Sequence, residues 1–198
     1  MPVKSLLPTP VVRSANLLKS ACCIGLMALA WANIARADPL DASMAAFGVQ
    51  QPRVHKLAPD FTLARTDGGA MALSDARGKV VVLHFWATWC VACRHEMPKI
   101  EQLWQRYRSR GLVVLGVNAD RGNLPAVQDF IHQLNLSFPS LLAPDGAVRN
   151  TYGVRALPTS YLIGRDGKII GRIIGERDWS SPSARAMMRT ILKQGNQQ

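Results

Sequence analysis

The segment Trp86-Ala87-Thr88-Trp89-Cys90-Val91-Ala92-Cys93 places two cysteines three positions apart, directly after the apolar run Val80-Val81-Val82-Leu83-His84-Phe85. The run reads as a strand and the residues after the cysteines as a helix, so the pair falls at a strand-to-helix junction. A cysteine at a helix start meets free backbone amides and the positive end of the helix dipole, which favours its thiolate. A second cysteine one turn further on is close enough to close a short disulfide. That arrangement suits dithiol–disulfide exchange, with Cys90 as the accessible nucleophile and Cys93 as the residue that resolves a mixed disulfide. The plainer readings are half of a zinc site and an inert disulfide. Zinc needs two further ligands, and His55, His84, His95 and His132 form no cluster at ligand spacing.

The elements that must hold this pair follow from periodicity. Lys79 to Phe85 is near-continuously apolar, as a strand buried on both faces requires. From Cys93 to Arg110, Met97, Ile100, Leu103, Trp104 and Tyr107 recur at three- and four-residue spacing, and Gly111 is the natural stop of that helix. Leu112 to Val117 is the next buried strand, which makes a βαβ unit and a parallel pair. Before them, Ala58 to Leu63 and Met71 to Leu73 flank the turn Thr66-Asp67-Gly68-Gly69, a hairpin signal. After them come a helix over Leu124 to Leu134, a short strand over Phe138 to Ala143 and a helical turn over Ala147 to Tyr152. A hairpin of Thr159 to Ile163 and Lys168 to Ile174 follows. Ser181-Pro182 opens a last helix to about Gln194, with serine as cap and proline in the first turn. The expected fold class is α/β: a central mixed sheet flanked by helices, with an N-terminal β-hairpin and a central αβ insertion.

The first 37 residues read as a targeting segment. Lys4, Arg13 and Lys19 make a basic, acid-free start, the 14-residue run Ala21 to Ile34 suits a signal core, and Ala35-Arg36-Ala37 offers a cleavage site. Retention as an inner-membrane anchor is the alternative, and either outcome puts the domain outside the cytoplasm. Cys22 and Cys23 fall inside this segment, so the processed chain keeps only Cys90 and Cys93. One pair in a domain of that size is no disulfide framework. Residues 38–56 have no sustained period and read as a linker, leaving residues 57–194 as one domain. Loss of Lys4, Arg13, Lys19 and Arg36, with no acid, takes the net charge from +11 to +7. The basic residues are scattered rather than interleaved with aromatics, which argues against nucleic acid as partner.

Taken together, these features resemble the thioredoxin-like proteins of the TlpA/ResA type within the AhpC/TSA-redoxin superfamily. The resemblance rests on Phe85-Trp86-Ala87-Thr88-Trp89-Cys90 and Cys93-Arg94 through Glu96-Met97-Pro98. It extends to Ala58-Pro59-Asp60-Phe61-Thr62-Leu63, Asn118-Ala119-Asp120 and Tyr152-Gly153-Val154-Arg155 with Leu157-Pro158-Thr159. It covers roughly residues 57 to 192 and implies a thioredoxin-like fold and an exported thiol-disulfide oxidoreductase. Such relatives often serve cytochrome c maturation or copper-site assembly.

The same resemblance implies roles for residues outside the cysteine pair. Pro158 is cis in the family and lies against the cysteines, while Leu157, Thr159 and Trp89 meet the bound substrate. Glu96, one turn beyond Cys93, assists proton transfer to the cysteines; a buried carboxyl there would have a raised pKa. Thioredoxin carries a buried aspartate where this chain has His84, which leaves His84 either a proton-transfer group or a hydrogen-bonded core residue. Val91-Ala92 supplies no charge or polar donor between the cysteines, which points to a reductant. The expected partners are a disulfide-containing exported protein and a membrane thiol-disulfide electron donor, with the protein a monomer. The redox-active disulfide is the only group needed, without an organic cofactor or metal. The rival readings are a copper(I) metallochaperone on the same thiolates and, more remotely, a thiol peroxidase.

Overall fold

Val80–Trp86 (β3) is buried along its whole length and forms the centre of the fold. In the computed structural model, which describes residues 38–194, its alternate side chains enter two separate cores. Val80, Val82 and Trp86 face one layer, and Val81, Leu83 and Phe85 face the other. Leu112–Asn118 (β4) runs parallel on one side, with Val80 opposite Leu112 and Trp86 opposite Asn118, and Ser140–Leu142 (β5) continues the sheet. Thr159–Ile163 (β6) runs antiparallel on the other side, followed by the edge strand Ile169–Ile174 (β7). The sheet order is β5-β4-β3-β6-β7. A separate hairpin of Thr62–Ala64 (β1) and Ala70–Ala72 (β2) precedes it, with Gly68 and Gly69 at the positive φ its turn requires.

The helix Val91–Tyr107 (α2) lies over the first layer, burying Cys93, Glu96, Met97, Ile100, Leu103 and Tyr107. A 3₁₀ turn over Arg108–Arg110 extends it, and Gly111 ends the run in the left-handed conformation. Leu124–Gln133 (α3), Ala147–Thr151 (α4) and Pro182–Gln194 (α5) complete the framework. The insertion between β4 and β5 is anchored by Phe130 of α3, stacked on Trp86 at 5.0 Å. The fold is α/β with a mixed central sheet flanked by helices, as the element pattern predicts, and is thioredoxin-like, as the resemblance implies.

One expectation fails. The stretch 38–56, expected as a linker, contains the helix Pro39–Phe47 (α1) and is joined to the sheet, because Gln50 pairs with Arg172 and Leu57 with Lys168. Asp38 caps α1 by accepting from the Leu40 amide at 2.8 Å, and Gly48 closes it in the left-handed conformation. Met44 and Phe47 are buried, and the Phe47 ring meets Trp179 edge-on at 5.0 Å. The compact unit therefore begins at Asp38 and not at residue 57. Only two of nine side chains in α1 are buried, too few to generate a period in the sequence. The expected signal segment, residues 1–37, lies outside the described residues. No helix among those described is long and apolar enough to cross a membrane.

The packing of α1 has a direct test. Phe47→Ala should destabilise the oxidised protein by about 3 kcal/mol, the usual cost of emptying a buried phenylalanine site. Urea unfolding measures it. A change within about 0.5 kcal/mol, as for a solvated tether, would show that α1 contributes nothing to the core.

Candidate active site at the strand–helix junction

β3 ends at Trp86, and the chain turns through Ala87-Thr88-Trp89 before α2 begins. The turn is fixed from outside. Thr88 donates from its amide to Asp120 Oδ2 at 2.9 Å and from its hydroxyl to Oδ1 at 2.8 Å. Asn118 Nδ2 holds the same carboxylate at 2.6 Å, and the Ala119 amide donates to the Trp86 carbonyl at 2.8 Å. Asn118-Ala119-Asp120, visible in the sequence only as a motif, thus ties the cysteine turn to the end of β4.

Cys90 is the N-cap of α2, and its sulfur accepts from the Cys93 amide at 3.2 Å. The two cysteines form a disulfide with their Cα atoms 5.2 Å apart. Cys90 retains 7 % exposure and Cys93 none, so a reactant approaching from solvent meets Cys90 first. Trp89 and Val91 on either side are 65 % and 68 % exposed, an unusual display of apolar surface beside a reactive group. The amide at the helix start donates to Cys90 Sγ and would equally stabilise a thiolate there.

The Leu157–Pro158 peptide bond is cis. It leads into β6, whose first residue, Thr159, pairs with Phe85, so the loop stands beside the strand end that carries the cysteine turn. Leu157 packs against both cores, including the one containing the cysteines. The Thr159 hydroxyl donates to the Ala156 carbonyl at 2.8 Å, and the Gly175 amide donates to the Pro158 carbonyl at 2.9 Å. Beyond Trp89, an open cleft of about 510 Å³ is lined by Asp120, Arg121, Pro144, Asp145 and Arg149.

Beneath the disulfide lies a second group of residues. Glu96 sits one turn along α2 from Cys93 and is almost fully buried. Its Oε2 accepts from the Arg177 amide at 2.8 Å, and its Oε1 lies 3.6 Å from His84 Nδ1. His84 is also buried, and Nδ1 lies 2.9 Å from Ser160 Oγ. The Trp179 indole faces Glu96 without a hydrogen bond of ordinary geometry. Burial pushes the Glu96 carboxyl up to about 7, against the opposing pull of the Arg177 amide. Burial pulls His84 down to about 3. Sequence reasoning identified Glu96 and His84 but not their partners. Arg177 contributes only a backbone amide, which leaves no side-chain signature, and Thr88, Ser160 and Trp179 have no diagnostic spacing.

These two shifts have opposite consequences for stability. Glu96 is raised above its unfolded value, so its contribution is intact below about pH 4.5 and is lost as pH rises through 7. His84 is depressed, so its penalty is absent above about pH 6.5 and grows as pH falls towards 3. Between pH 5 and 7 the two terms nearly cancel. Glu96→Gln should remove that balance: stability should rise by about 2 kcal/mol from pH 5 to pH 7, relative to the same interval in the parent protein. Urea unfolding of the oxidised forms measures this, and parallel pH profiles would refute it.

Comparison with known proteins agrees with this geometry. The model of the AhpC/TSA family matches residues 54–172. The chain is 38 % identical over 128 residues to the thiol-disulfide oxidoreductase ResA of Bacillus anthracis, covering 65 % of this chain and 73 % of that one. It is 40 % identical over 122 residues to ResA of Geobacillus thermodenitrificans, covering 62 % and 70 %. Among solved structures, a thioredoxin-family thiol:disulfide interchange protein of Chlorobium tepidum superposes with a TM-score of 0.61 at 28 % identity, over 71 % of this chain and 99 % of that one. A secreted disulfide oxidoreductase of Mycobacterium tuberculosis, homologous to DsbE of E. coli, gives 0.56 at 25 % identity, over 66 % and 93 %. With its cysteine pair capping a helix in a thioredoxin-like sheet, the chain belongs to the AhpC/TSA family, among its thioredoxin-like thiol-disulfide oxidoreductases.

Proposed function

We propose that the protein works outside the cytoplasm as a reductant of disulfides in partner proteins. The observation that carries this reading is the asymmetry of the pair: Cys90 reachable at a helix N-terminus, Cys93 sealed beneath it beside Glu96. In the dithiol form, the Cys90 thiolate attacks one sulfur of the partner disulfide. The partner's other sulfur leaves as a thiolate and takes a proton from solvent. Cys93 then gives its proton to the Glu96 carboxylate and attacks Cys90 Sγ. The second partner thiolate leaves, and Cys90–Cys93 is oxidised; the partner has gained two electrons, and its two sulfurs end as thiols. Trp89, Val91 and the Leu157-Pro158-Thr159 loop form the surface on which the partner segment rests.

Export is supported by the basic, acid-free start and apolar run of the first 37 residues, and by the secreted Mycobacterium tuberculosis relative in structure. An exported reductant has no glutathione pool to restore it, so a membrane dithiol donor closes the cycle. A cytochrome c or copper-site assembly protein with vicinal cysteines fits as substrate. The apolar Val91-Ala92 pair supports the reducing direction, since it adds no donor to stabilise the Cys90 thiolate beyond the helix end.

Two measurements test this. The Cys90–Cys93 couple, equilibrated against glutathione, should lie below about −200 mV, on the thioredoxin side of the range; a value above about −150 mV would make the protein an oxidant. Cys93→Ser, expressed in full, should accumulate mixed disulfides that a reductant releases, while Cys90→Ser should trap none. Equal trapping by both variants would refute the assigned order of attack.

A further inference from the structure

Among the described residues, His84 is the fully buried ionisable side chain beside the redox site that the exchange chemistry above leaves without a task. Its position on β3 is flanked across the sheet by Gly116 of β4 and Ser160 of β6, and it faces the same layer as Glu96 of α2. Nδ1 lies between two oxygens, 2.9 Å from Ser160 Oγ and 3.6 Å from Glu96 Oε1. Nε2 is buried and has no partner among the described residues.

Those facts fix which nitrogen carries the proton. A neutral imidazole has one N–H and one bare nitrogen. Placing the proton on Nε2 would bury an N–H donor with nothing to receive it, which folded proteins rarely tolerate; a bare nitrogen there is the lesser cost. The proton therefore sits on Nδ1, with Ser160 Oγ as its acceptor and Glu96 Oε1 as the next oxygen within reach. Donor–acceptor pairs in resting sites are often long and tighten when charge develops.

We propose that His84, held by Ser160, is a positioning residue whose Nδ1–H lies close enough to Glu96 to stabilise the carboxylate that receives the Cys93 proton. This rests on the exchange reading above. His84 is not itself the proton store, because its burial makes it far harder to protonate than Glu96. The remaining charged groups around Glu96 are few. Arg177 contributes its amide and its cation, Glu176 an opposing anion, and α2 adds Cys93; Gly116 and Trp179 bring no charge. Among the described residues, the Trp179 indole and His84 are the side-chain donors near the Glu96 carboxylate, and His84 is the one that reaches it from the sheet.

The test follows release of the chromogenic thiol from dithionitrobenzoate by the reduced, full-length protein. Cys90 liberates the first equivalent, and Cys93, by resolving the mixed disulfide, the second. In the parent protein the rate of the second phase should rise with pH through a midpoint of about 7, set by Glu96. His84→Leu keeps the bulk and removes the donor, so the midpoint should move up by about one pH unit, with a second phase roughly fivefold slower at pH 7 and the first phase unchanged. His84→Asn carries its amide nitrogen where Nδ1 sits and should restore most of the midpoint. If His84→Leu fails to fold, Ser160→Ala carries the same test: it frees Nδ1–H from its other acceptor and should move the midpoint down. Two equivalents with an unmoved midpoint in either variant overturn the role of His84. A parent protein that releases only one equivalent overturns the exchange reading itself.

Discussion

A carboxyl group buried under a helix, one turn from Cys93, is the constraint around which the rest of the protein is arranged. Taking a carboxylate out of water costs several kcal/mol unless other dipoles replace the lost solvation. Glu96 receives one such dipole, the Arg177 amide, and lies close to a second, His84 Nδ1. The result is a group that holds its proton to about neutral pH, which no solvated glutamate would do. Supplying those dipoles requires three elements far apart in sequence. β3 carries His84, β6 carries Ser160, and the loop between β7 and α5 carries Arg177.

That requirement explains why α1 belongs to the folded unit. Trp179 closes the space beside Glu96, and Phe47 packs edge-on against Trp179. Without α1 one side of that indole would face water, and water reaching Glu96 would return its carboxyl towards an ordinary value. A helix that looks like a tether in the sequence is thus part of the wall that keeps Glu96 dry.

How much of this is legible in the sequence depends on how local each interaction is. Cys90 and Cys93 are read at once, because three-residue spacing at a helix start is itself the chemistry. Val80 to Phe85 and the α2 periodicity are equally plain, since burial on two faces or on one stripe dictates residue type at every position. The α1 helix escapes because it buries only Met44 and Phe47. Its cap signals were present: Asp38 before Pro39 at the start and Gly48 at the end mark a short helix more clearly than its hydrophobicity does. The Arg177 contact could not be read at all, because any residue but proline offers the same amide.

The site also separates chemistry from recognition in space. Glu96, His84 and Cys93 are buried and set by the sheet and α2, so their energetics are insulated from whatever binds outside. The surface beside Cys90 is set by something else: Asp120 ties the Thr88 turn to the start of the αβ insertion, and the first residues of the insertion together with the segment after β5 line the cleft next to Trp89. Changes in the residues lining that cleft can therefore reshape the surface beside Trp89 while leaving Glu96 untouched. They reach the cysteine turn if they disturb Phe130, stacked on Trp86, or Asp120, whose two bonds to Thr88 hold the turn before Cys90. A fold that anchors its reactive turn through one carboxylate can diversify its partners by varying the insertion around that carboxylate, and Asp120 is a residue such variation must leave in place.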